Sequence, residues 1–143
     1  MKSAVLNGHW YLMEGEGQRK EVYYASLDSL VASCRPSEKP LHFVWKILPD
    51  VPHDYSSTAV FGNRLIAVGG VGYLSLASSS IHAYSPHTQS WVHVGDMPDR
   101  LDSTCTAVLP TGELMVIGGR SDTYNKSSNI YKAILKFNGK SEL

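Results

Sequence analysis

Cysteine is scarce in this chain, with only Cys34 and Cys105 among 143 residues. Two thiols cannot build the disulfide framework of a small secreted scaffold, so the fold must rest on a packed core. Charge is also sparse, at 18% of residues. Thirteen basic side chains balance thirteen acidic ones, and the net charge is zero. That balance gives no electrostatic case for nucleic acid or an anionic membrane. No apolar run reaches the roughly 18 residues of a membrane span. The opening stretch MKSAVLNGHWYLMEGEG has one Lys and no sustained apolar segment, so no secretory leader is expected. An intracellular, cytoplasmic setting is the expectation.

Helical periodicity is nearly missing as well. Beyond residue 40, only Leu41, Val44, Trp45, Leu48 and Ile130, Ala133, Ile134, Phe137 fit a helical spacing free of Gly or Pro. Both windows are short for a helix and rich in β formers. What the chain does have is short apolar runs punctuated by turn residues. Residues 57–61, 65–68, 104–109 and 114–117 are such runs. Their bounds are Gly62-Asn63, Gly69-Gly70, Pro110-Thr111-Gly112 and Gly118-Gly119. This is the signature of an all-β chain.

The runs also repeat. SAVLNGHWYLMEG (3–15), STAVFGNRLIAVGG (57–70) and TAVLPTGELMVIGG (106–119) each read strand, tight turn, strand, glycine. Their closing glycines fall roughly 50 residues apart, a repeat period that points to a solenoid, propeller or array. The second unit continues through Tyr84, then Trp91, then Met97, Pro98 and Arg100. Gly69, Gly70, Tyr84, Trp91, Met97, Pro98 and Arg100, in that order, resemble the kelch repeat. Gly118 and Gly119 echo the glycine pair in the third unit, and Trp45 stands for the Trp in the first.

The resemblance implies a partial kelch-type β-propeller of about three antiparallel blades. The blades are expected at 1–52, 53–101 and 102–143. Blade 1 carries a long insertion at about 26–42 between its third and fourth strands, where Ser26 can cap a helical turn. Blade 3 is expected to lack its outer strand. Strand sheets of this kind cannot bury both faces alone, and radial stacking covers them. Trp91 is large enough to fill the gap between blades, where its indole N–H needs a partner. Closed propellers have about 4–8 blades, so one chain of this length is not expected to close a ring. A fragment of a larger protein, a partner chain or self-association would each supply further blades.

Catalytic constellations are not legible. His82, His87 and His93 fall on a strand, a hairpin and the next strand, a spacing that does not suggest one metal-binding face. Cys105, in or beside a strand, reads as a small core residue. No G-x-S-x-G, G-x-G-x-x-G or phosphate-loop pattern occurs. Neither a metal nor a cofactor is expected. The kelch resemblance implies a non-enzymatic protein-interaction module, with a protein partner held by blade loops. Candidate contact residues are Arg120, Asp122, Tyr124 and Asn125 in the third loop and Tyr73 in the second. Arg100 is expected to tie adjacent blades. The alternatives are a piece of a propeller enzyme of the galactose-oxidase kind, or a truncated gene product without a function.

Overall fold

The computed structural model describes residues 2–13, 22–33, 45–49, 57–71, 76–123 and 125–134. Eleven strands and one short helix lie among them. The first sheet is a meander of β1 (Lys2–Leu6), β2 (His9–Met13), β3 (Val22–Ser26) and β4 (Lys46–Leu48). The second is β5 (Ser57–Phe61), β6 (Arg64–Val68), β7 (Ser80–Ser85) and β8 (Ser90–Asp96). The third has β9 (Cys105–Val108), β10 (Leu114–Ile117) and β11 (Ile130–Ala133). All strand pairs are antiparallel. Both windows with helical spacing contain strands, β4 and β11. Their β-branched residues fit a pleated surface better than a helix.

Helix α1 (Leu27–Ser33) follows β3 without a break. Ser26, the last residue of β3, immediately precedes it. The Leu27 amide donates to the Gly8 carbonyl at 2.9 Å, which holds the helix start beside the β1–β2 turn. That turn is Asn7-Gly8, with φ of 49° and 71°. Two positive φ values match the twist of a tight hairpin. The rest of the expected insertion lies outside the described residues, as does the Glu14-Gly15 turn.

Sheet order explains the core. Strand β6 buries all four residues from Leu65 to Val68 completely. Alternation sends Leu65 and Ala67 to one face and Ile66 and Val68 to the other. Leu65 and Ala67 join Leu6, Tyr11, Met13 and Val22 from the first sheet. Ile66 and Val68 join Leu114 and Val116 from the third. The second sheet is therefore the middle layer, covered on both faces. Hydroxyl groups stitch it to the third sheet. Ser57 Oγ and Thr104 Oγ1 lie 2.8 Å apart in a buried pair, and Thr106 Oγ1 donates to the Thr58 carbonyl at 3.0 Å.

Trp91 behaves as expected. Its ring packs on the core between the first and second sheets, 5.3 Å from the Tyr84 ring centroid. Its indole N–H donates to the Pro49 carbonyl at 3.1 Å. Cys105 is a correction. It begins β9 and is exposed, because it points to the face of the third sheet that no other sheet covers. Among the described residues, no helix is long and apolar enough to cross a membrane.

Candidate functional site

In the second sheet the β5–β6 turn and the β7–β8 hairpin lie at one end. The end of β6 at Gly69-Gly70 and the connection that leaves β8 for the third sheet lie at the other. At that second end, the connection from Met97 to Thr104 meets the loop from Gly118 to Asn129. A groove of about 540 Å³ runs between them, with Asp99, Arg100, Asn125 and Lys126 in its lining.

The double glycine makes this junction possible. Gly119 has φ of 109°, and a Cβ there would lie 2.8 Å from Thr104 Cγ2 and 2.9 Å from the Asp102 carbonyl. Asp102 and Arg120 then exchange backbone hydrogen bonds at 2.9 Å each way. Their side chains repeat the link: Arg120 Nη2 donates to Asp102 Oδ2 at 2.9 Å, and Nε to Oδ1 at 3.3 Å. This two-pronged pairing fixes direction as well as distance. The loop is closed by Ser121 N donating to the Asn125 carbonyl at 3.0 Å and Ser127 N to Gly119 at 2.9 Å. Asp122 accepts from the Ala77 amide, which ties this loop to the corresponding loop of the second sheet.

The candidate contact residues thus have different placements. Tyr73 and Tyr124 lie outside the described residues. Arg120 and Asp122 face groups of the chain itself. Asn125 is exposed and its amide donates to Thr123 Oγ1 at 2.9 Å. Arg100 is exposed and lines the groove, and the Arg120 guanidinium bonds to Asp102. Lys126, which the sequence did not single out, is exposed beside Asn125.

The acids of the groove are already engaged. Asp99 accepts from the Tyr131 hydroxyl, which also accepts from Asn129 Nδ2 at 2.9 Å. The hydrogen bond to Asp99 pushes the Tyr131 hydroxyl above its usual pKa. Asp122 accepts from the Ala77 amide, and Asp102, outside the lining, is held by Arg120. Among the described residues, no acid pairs with Arg100 or Lys126. The groove offers two cations and two hydrogen-bonded acids, with several amide and hydroxyl groups.

Elsewhere the chemistry is thin. His82 and His93 stand opposite each other across β7 and β8, with ring centroids 5.4 Å apart. The sequence places these two on successive strands and His87 in the hairpin between them. The four-residue hairpin at 86–89 pairs Ser85 with Ser90, and that register brings the two rings together. His93 Nε2 lies 3.2 Å from Asp96 Oδ2. His87 is in the hairpin, and among the described residues no three or more metal-binding groups converge.

Residues 53–98, spanning the second sheet, match the family model described as Kelch motif. Kelch-like protein 21 of Homo sapiens is 28% identical over 100 residues, 68% of this chain. This chain spans only 14% of that relative's length. A solved structure titled "Structure of YjhT" superposes with a TM-score of 0.63 at 22% identity. The superposition covers 85% of this chain and 34% of that one, and it speaks for the fold alone. Three stacked meanders, two of them with glycine pairs at matching places, and a Trp bridging from one to the next agree with these likenesses: residues 53–98 carry a Kelch motif, and the chain has the fold of a partial kelch-type β-propeller.

Proposed function

We propose that the chain is a non-enzymatic protein-interaction module that holds its partner in the groove between the second and third blades. The observation that carries this reading is the tied loop. The Asp102–Arg120 pair and the Asp122–Ala77 bond hold the loop at both blades. Arg100, Asn125 and Lys126 then project from a rigid frame. Loops on rigid scaffolds commonly carry binding function, and a preordered loop loses less entropy on binding. Arg is enriched at binding hot spots. The kelch resemblance implies loop-mediated protein binding, which supports the same reading.

Affinity capture from cell extract with quantitative mass spectrometry tests it. The chain should enrich a protein that Arg100→Ala and Lys126→Ala together lose by tenfold or more. Thr88→Ala, in the hairpin at the opposite end, should keep it. Equal capture by all three chains would reject the groove.

A further inference from the structure

Three phenol groups meet between blades 1 and 2. Tyr11 and Tyr24 stand opposite one another in the β2–β3 register, so both side chains leave the same face of the first sheet. Their rings stack, 5.6 Å apart at 15°. Tyr84 enters from β7 of blade 2 and joins the core cluster that holds Tyr11, with Tyr24 packed against it. Burial raises the Tyr84 hydroxyl first, and the closeness of Tyr11 and Tyr24 raises it further. Tyr84 is 2% exposed and Tyr11 4% exposed, so both phenols are buried almost whole. Tyr24 is half-buried.

Among the described residues, none of these three hydroxyls has a hydrogen-bond partner. Other aromatic polar groups of the stack do. Trp91 Nε1, at the same junction, donates to the Pro49 carbonyl. The Tyr131 hydroxyl, packed between blades 2 and 3, has both Asp99 and Asn129. A buried hydroxyl without a partner loses its hydration for nothing in return, and native cores seldom leave one so.

We infer that an ordered water is built into the junction of blades 1 and 2, bonded by the Tyr11 and Tyr84 hydroxyls inside and by the Tyr24 hydroxyl at the rim. Water suits the donor set. A phenol both donates and accepts, as water does, and a buried water commonly has about three partners. A charged occupant does not suit it. Leu6, Met13, Val22, Leu65 and Ala67 fill the cluster around the phenols, and none can balance a charge. Lys46 lies 5.8 Å over the Tyr24 ring, but it is exposed on the outer strand β4. The junction thus has two joints: a ring at Trp91 and a water shared by side chains of both blades.

Phenylalanine substitutions in the intact chain test the sign. Removing a bare buried hydroxyl stabilises a fold, whereas removing one that holds a water destabilises it. Both changes keep the ring, so Tyr11→Phe and Tyr84→Phe should each fold. In urea melts at neutral pH, each should raise the unfolding equilibrium constant about fivefold. Together they should fall clearly short of the roughly 25-fold product, because the first change already loosens the shared water. A crystal structure of the unaltered chain should show the water within hydrogen-bond distance of both buried hydroxyls. A variant at least as stable as the parent, losses that simply multiply, or no water on Tyr11 and Tyr84 in the crystal would overturn the proposal.

Discussion

Gly119 is the residue on which the groove depends. Its φ of 109° lies where side chains strain the backbone, and its missing Cβ leaves space that Thr104 and the Asp102 carbonyl already approach. Gly119→Ala should cost about 3 kcal/mol or more from strain and overlap together. A urea midpoint unchanged from the parent would contradict this. At Tyr84, burial pushes the hydroxyl up to about 12, with nearby Tyr11 and Tyr24 adding to it. Tyr11 is raised in the same direction, by burial first and then by Tyr24. A folded-state pKa above the unfolded one favours the neutral form in the fold. The resulting stability is complete below about pH 10 and drains away as pH rises toward 12. Thermal melts should therefore fall steeply across that window. Tyr84→Phe should flatten part of the fall, and an equal slope in both chains would remove Tyr84 as its cause.

At the scale of the strand and blade, Trp91 shows how one side chain joins two sheets. Its ring covers apolar surface between blades 1 and 2 while its N–H reaches Pro49. Trp91→Phe keeps most of the apolar contact and loses the hydrogen bond, so the expected cost is about 1 kcal/mol. A loss several times larger would mean that the ring's volume, and not its N–H, holds the junction. The strands themselves were readable from sequence, since short apolar runs bounded by glycines and other turn residues mark them directly. The glycine pair and Trp91 were readable because both have one physical job wherever the repeat occurs. The Asp102–Arg120 link was not readable. It depends on two loops meeting across a blade boundary, and no local spacing records that meeting. Lys126 escaped notice for the same reason, because an exposed Lys in a polar loop looks alike whether or not a groove runs beside it. The His82–His93 contact was within reach, since a four-residue hairpin between Ser85 and Ser90 already fixes the register.

The whole molecule is a short stack, and its stability should be distributed as in one. Each blade touches only its neighbours, so local stability follows from intrinsic blade terms and the interfaces beside each blade. Among the described residues, blade 2 has two such interfaces, and blades 1 and 3 have one each. Amide exchange should therefore be slowest in β6 and β7, whose apolar residues are the most deeply buried. The edge strands β1, β4, β8 and β11 should exchange faster, because each carries an exposed apolar side chain at the rim of its sheet. Ile66→Ala should remove core from the blade 2–blade 3 interface and cost about 2–5 kcal/mol. Its effect on exchange should be larger in β10 than in β2, because Ile66 packs with Leu114 and Val116 and not with Tyr11 and Met13. Uniform acceleration across all three blades would show that the chain unfolds as one cooperative unit. The nearest-neighbour description would then fail for this stack.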